Sequence, residues 1–300
     1  MQTEKKVYHT LVSQAKQHVP GFESAYAQFH QRVQLDQNSK SMITNYSRSI
    51  AMIALHFNRV PHLVSVDEIN AYLYRMTVHE KQSLSYFKQA VYGLRHWLRL
   101  FGKDEMAIQM PSIKKEEKLP TVLSKQECKL LFKAPRTFKH SFMLAFAYSC
   151  GLRMNELRLL KISDIDLNRK QVHIRLSKGR KSRYVMLSNL IASKFQLYLD
   201  TVKPQVYLFE GQTPAHPMGE RSIQYVINEA LQKTDIKKPV SMHTLRHSFA
   251  THLLEDGVDV HSIQKLLGHS DMRTTMVYLH VAQIKPCLAH SPLDSLYGFK

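Results

Sequence analysis

Cysteine is scarce in this chain of 300 residues: Cys128, Cys150 and Cys287 lie far apart and form no CxxC pair. That argues against both a disulfide framework and a thiolate zinc site. The HExxH pattern of helix-borne zinc ligands is also missing. No apolar run approaches the ~20 residues needed to cross a bilayer, and the opening MQTEKKVYHTLVSQAK lacks the apolar stretch of a signal peptide. A reducing cytoplasm is the expected setting. Only 10 Gly and 11 Pro occur against 44% hydrophobic residues, which describes a folded, helix-rich chain. Acid is the last shortage: 24 Asp and Glu face 42 Lys and Arg, a formal net charge of +18. Such a surface repels itself and persists where a polyanion neutralises it, so nucleic acid is the leading partner.

What is present falls into two blocks. In the first block, residues 1–102, apolar side chains recur at helical spacing from about residue 20 onward, as in SMITNYSRSIAMIALHF, where Ile43, Tyr46, Ile50, Ile53 and Leu55 share a stripe. Ser39 or Ser41 is placed to cap that helix, and Gly102 to stop the one ending at the block's edge. Residues 103–120 lose periodicity and carry two prolines and a charge run, which marks a linker. Its Lys114, Lys115 and Lys118 are either a solvated run or DNA-contacting residues. Residues 121–300 open with a Ser-capped helix in LSKQECKLLFKA. QVHIRLSKGRKSRYVML then reads as a hairpin: Val172, Ile174 and Leu176 alternate on one strand, Tyr184 and Val185 begin the apolar part of the other, and SKGRKS is the turn between them. The expected fold is mainly α, in two domains, with a small antiparallel sheet in the second.

The stretch HTLRHSFATHLLEDGVDVHSIQKLLGHSDMRTTMVYLHV concentrates the chemistry. His243, Arg246, His247 and Ala250 fall at i, i+3, i+4 and i+7, so one helical face reads as polar and the side with Leu245, Phe249, Leu253 and Leu254 as buried. Asp256-Gly257 stops that helix. Asp259 caps a second one, whose Ile263, Leu266 and Leu267 face a core before Gly268 ends it. MRTTMVYLHV reads as a third helix carrying Tyr278. A metal site is disfavoured by the missing motifs. A helix-turn-helix reader is disfavoured by Asp256, Asp259 and Asp271, which would face phosphates. The third reading is phosphoryl transfer: arginine's planar fork matches the non-bridging oxygens of a phosphodiester, histidines supply hydrogen bonds or proton transfer, and a tyrosine can be the nucleophile.

HTLRHSFATHLL, LLGHS and TTMVYLHV, in that order, resemble the C-terminal motifs of the tyrosine recombinases, the phage-integrase family, in its Xer-like and integron or transposon integrase branches. His269 follows Arg246 by 23 residues and Tyr278 follows His269 by 9. Upstream, CGLRMNELRLLKISDID is similar to the family's first arginine motif. The resemblance places Arg153 as the second phosphate-binding arginine and Glu156 as the acidic residue supporting the pocket. LSKGRKSRYVML resembles the hairpin whose lysine enters the active site; Lys178 is the matching position, with Lys181 the runner-up and Arg180 and Lys181 candidates for DNA contact. His247 and His252 fall outside the matched positions and read as supporting or packing residues.

The resemblance implies a catalytic set of Arg153, Lys178, His243, Arg246, His269 and Tyr278 that makes a 3′-phosphotyrosine and passes through a Holliday junction, without metal or ATP. It also implies a DNA clamp of a helical core-binding (SAM-like) domain, residues 1–102, and a catalytic domain, residues 121–300, working as a tetramer on double-stranded DNA. It leaves no room ahead of residue 20 for an arm-type domain. The tail after Tyr278 is either a subunit-docking element or simple packing. A type IB topoisomerase, which relaxes DNA without joining partners, and a non-catalytic DNA-binding protein are the rival expectations.

Overall fold

The protein's computed structural model describes residues 10–36, 40–78, 84–103, 119–175 and 182–282. Lys114, Lys115, Lys118, Leu176, Lys178, Arg180 and Lys181, together with Ser39, Cys287 and the tail from 283, lie outside the described residues. The chain divides into two compact units, Met1–Glu117 and Lys118–Lys300.

Among the described residues the first unit holds five α-helices: α1 Leu11–His18, α2 Phe22–Leu35, α3 Lys40–Phe57, α4 Val66–Val78 and α5 Leu84–Leu100. Ile50 and Ile53 of the expected stripe are buried, Ile43, Tyr46 and Leu55 pack at its margin, and Ala51 and Ala54 complete the face towards the core. Ser41 is no cap, because α3 already includes Lys40. Gly102 does follow the end of α5, donating to the carbonyl of Arg99. The core centres on Trp97, which is fully buried, stacks on Phe22 at 5.8 Å and packs on Phe29 at 5.2 Å. Its indole N–H is satisfied by His62 Nδ1 at 3.3 Å, as a buried tryptophan requires.

The second unit carries α6 Lys125–Lys133, α7 Phe138–Ser149, α8 Met154–Arg158, β1 Ile165–Asp166, β2 Gln171–Ile174, β3 Arg183–Met186, α9 Asn189–Val202, α10 Glu220–Gln232, α11 Met242–Glu255, α12 Val260–Leu267 and α13 Arg273–Met276. Ser124 caps α6 as expected. Its hydroxyl accepts from the Glu127 N–H at 3.1 Å, and the Glu127 carboxylate accepts from the Ser124 N–H at 2.7 Å. The strands form one antiparallel sheet in the order β1-β2-β3. Val172 pairs with Val185 and Ile174 with Arg183, so the inward row of this hairpin mixes three aliphatic residues with one arginine.

Two readings change here. α11 is not two-faced: Met242, Thr244, Leu245, Arg246, Ser248, Phe249, Ala250, Thr251 and His252 are all buried, because α7, α12 and the turn after α13 enclose it. And the third helix is shorter than its pattern: α13 spans one turn, after which Val277–His280 tighten into a 3-10 turn that carries Tyr278. The β-branched Thr274, Thr275 and Val277 weaken the longer helix. Phe249, Ala250, Ile263, Leu267 and Tyr278 form a small separate core that ties α11, α12 and this turn together. Each fully buried aliphatic there contributes roughly 1.5–3 kcal/mol, so α11, α12 and the turn bearing Tyr278 are held by their own apolar packing.

Candidate active site

Glu156 is the geometric centre of the site. It lies in the first turn of α8, and its carboxylate accepts from the backbone N–H of Arg153 at 2.9 Å and from the Arg153 guanidinium at 2.8 Å. The same carboxylate takes both Nη groups of Arg183, reaching in from β3, at 2.8 and 2.9 Å. Arg246 Nη1 stands 3.7 Å away. Only 2% of the Glu156 side chain is exposed. Burial alone would raise its pKa, but the hydrogen bonds and charge of Arg183, then those of Arg153, overcome that and hold it at about 2.

The second anchor is the end of α12. The last carbonyls of a helix have no partner within it and carry its negative dipole end. Here three consecutive ones each accept from a different arginine: Leu266 from Arg183 at 2.7 Å, Leu267 from Arg246 at 2.6 Å and Gly268 from Arg153 at 3.3 Å. Gly268 turns the chain away in the left-handed region, φ +62°, the usual C-terminal stop. Arg246 makes a further bond at 2.7 Å to the carbonyl of Gly151, which lies in the turn between α7 and Arg153, the residue that precedes α8. Gly151 also sits at φ +57°, and a Cβ there would meet the Phe249 ring at 2.4 Å, so both conformation and space demand glycine.

Arg246 is 3% exposed, and burial first, then the like charge of Arg153, lower its pKa to about 9. It is still a guanidinium at neutral pH. Two fixed cations thus share one carboxylate with Arg183, which leaves the pocket with excess positive charge.

The hydroxyl and imidazoles close the pocket. His269, just beyond α12, places Nδ1 2.9 Å from the Thr275 hydroxyl on α13. Burial, then Arg246, Arg153 and Arg183, bring its pKa down to about 4, so it is neutral and able to donate one hydrogen bond. His243 lies exposed in the first turn of α11, its pKa lowered by partial burial and by Arg246 and Arg153. Tyr278 is 2% exposed. Burial raises its pKa, while Arg246 and Arg153 pull the other way.

The structure therefore gathers Arg153, Glu156, Arg246, His269, Tyr278 and His243 at one place. Lys178 is outside the described residues, although Arg183, at the start of β3, is in the pocket. Two members were not singled out from the sequence. Arg183 was legible in principle, since the strand alternation that buries Val185 also turns Arg183 inward. His247, read as supporting or packing, has its Nδ1 3.0 Å from the Tyr278 hydroxyl. His252 is a packing residue, with Nδ1 2.7 Å from the Tyr148 hydroxyl.

A tyrosine hydroxyl among buried arginines and neutral histidines, on this helical scaffold with its small sheet, defines a tyrosine recombinase. The phage integrase family model matches residues 121–284, and the chain belongs to that family. It is 34% identical over 272 residues to the protein y4qK of Sinorhizobium fredii, covering 89% of this chain and 88% of that one. It is 29% identical over 290 residues to the tyrosine recombinase XerC of Bacillus licheniformis, covering 88% and 95%. Among solved structures, the fold matches a lambda integrase tetramer bound to a Holliday junction with a TM-score of 0.69 at 16% identity, covering 88% of this chain and 80% of that one. The Tn1549 transposon integrase in complex with transposon right end DNA matches with a TM-score of 0.67 at 15% identity, covering 91% and 97%. No described helix is long and apolar enough to cross a membrane.

Proposed function

We propose that this protein is a site-specific DNA recombinase that cuts and rejoins strands through a 3′-phosphotyrosine at Tyr278, in the cytoplasm and in the service of a mobile element or of replicon resolution. The observation that carries this reading is the Tyr278 hydroxyl beside two fixed guanidinium groups whose charge Glu156 only partly offsets. Arg153 and Arg246 hold the non-bridging oxygens of the scissile phosphate, each with its orientation set by a main-chain carbonyl, and His269 adds a hydrogen bond. Tyr278 attacks phosphorus, and the 5′-oxygen departs with a proton from Lys178, assisted by His243. A 5′-hydroxyl of a partner strand then attacks the phosphotyrosine. The ester conserves the energy of the broken bond, so the chemistry calls for neither ATP nor a metal.

The partner is double-stranded DNA carrying a core site. The working unit is a tetramer on two such sites, by likeness to the lambda integrase tetramer on a Holliday junction. Lys114, Lys115, Lys118, Arg180 and Lys181 supply phosphate contacts in the linker and hairpin turn. The test begins by selecting bound duplexes from a randomised pool and nicking one to make a suicide substrate. Wild-type protein gives a covalent adduct on a denaturing gel and Tyr278→Phe gives none; an undiminished adduct in Tyr278→Phe would overturn the reading.

A further inference from the structure

The pocket contains one group in contact with the Tyr278 hydroxyl that has no assigned task. His247 sits on α11 one turn below His243, half-buried, with its Nδ1 3.0 Å from Tyr278 Oη and the two rings 5.7 Å apart. The charged and titratable neighbours that act on it come from every side. His243, its ring 6.3 Å away, and Arg246 share α11, His269 follows α12, and Tyr278 itself comes from the turn after α13. None of these is an acid that would hold His247 protonated. Burial, then His243 and Arg246, keep its pKa down at about 4, so at neutral pH it is an uncharged imidazole. With its proton on Nε2, it accepts the Tyr278 O–H at Nδ1.

We propose that His247 takes the phenolic proton of Tyr278 during strand cleavage and returns it when the phosphotyrosine is resolved. This rests on the reading of Tyr278 as nucleophile. In cleavage the Tyr278 Oη–P bond forms and the P–O5′ bond breaks. The phenolic proton passes to Nδ1 of His247, and the departing 5′-oxygen receives its proton from Lys178, as in the proposed function. In rejoining, a 5′-hydroxyl displaces Oη, which regains the proton from the His247 imidazolium. Burial first, then His243 and Arg246, make this imidazole a weak base. A scissile phosphate held by Arg153 and Arg246 brings negative charge beside it and offsets the Arg246 charge, so His247 becomes a stronger base when DNA is in place. Proton transfer is thereby tied to correct seating of the phosphate.

Single-turnover adduct formation on the nicked suicide duplex tests this with wild type, His247→Gln, His247→Ala and Tyr278→Phe. His247→Gln keeps a polar group beside the hydroxyl but accepts no proton, and slows adduct formation by roughly 100-fold or more with DNA binding unchanged. A duplex whose 5′-bridging oxygen is replaced by sulfur needs no acid at the leaving group. It restores Lys178→Ala but leaves His247→Gln slow. Added imidazole raises the His247→Ala rate at least tenfold, which separates lost proton transfer from lost packing. The proposal falls if His247→Gln cleaves within threefold of wild type, if the sulfur duplex rescues it, or if imidazole leaves His247→Ala unchanged. An adduct in Tyr278→Phe would instead overturn the nucleophile itself.

Discussion

Replacing Glu156 by glutamine keeps the size of the side chain and removes its charge. The structure makes that change expensive. The carboxylate is buried, holds Arg183 through two bonds and Arg153 through two more, and sits 3.7 Å from Arg246. The variant leaves buried guanidinium groups without a counter-charge and aims an amide N–H at one of them. Breaking a buried pair in this way costs about 3–5 kcal/mol. Linkage gives a comparable figure: a carboxyl held at about 2 against an ordinary value of 4.5 contributes about 3 kcal/mol at neutral pH. For a domain of this size the melting temperature falls by roughly 6–12 °C. Because the folded pKa is depressed, the contribution is fully present above about pH 4.5 and is lost as the pH falls towards about 2. Calorimetric melts of wild type and Glu156→Gln therefore diverge most at neutral pH and converge below about pH 4.5. Arg183→Met should cost less in the Glu156→Gln background than in wild type, a coupling of about 1–3 kcal/mol. Melting of Glu156→Gln within 2 °C of wild type at pH 7, or a gap that stays constant with acid, would refute the central place given to this carboxylate.

Gly151→Ala forces a side chain into the left-handed region and into the Phe249 ring. It should cost about 2–4 kcal/mol in chemical denaturation and reduce adduct formation by moving the carbonyl that orients Arg246; a variant as stable as wild type would show that the Phe249 ring moves aside freely. The net charge of +18 should make duplex binding weaken steeply with salt. A filter-binding or anisotropy titration between 50 and 200 mM salt with a flat response would deny that phosphate contacts drive association.

Much of this site was legible before any coordinates. The order of Arg153, His243, Arg246, His269 and Tyr278 could be read along the chain, and these residues converge on one pocket. The caps at Ser124, Asp259 and Gly268 were readable because their chemistry is local, a side chain or a backbone angle acting within one turn. What stayed hidden depends on neighbours distant in sequence. α11 looked amphipathic, and only its enclosure by α7, α12 and the turn bearing Tyr278 makes Arg246 a core residue. His247 lay inside a matched motif but one residue beyond its matched position, Arg246, and its partner is thirty-one residues away. Arg183 was not singled out: strand alternation alone would turn it inward on β3, but its two partners, Glu156 and the end of α12, come from opposite sides of it in the sequence.

The three arginines gathered on the closing carbonyls of α12 carry a consequence for how this pocket tolerates mutation. Those acceptors belong to Leu266, Leu267 and Gly268, but to their peptide groups and not their side chains. No single codon change deletes a carbonyl oxygen, and no proton in the biological range silences one. Substitutions at Leu266 or Leu267 can alter packing while the oxygen remains in place, so long as the helix ends where it does. The residue that drift cannot touch without loss is the one with no side chain at all, because Gly268 fixes where the three oxygens point.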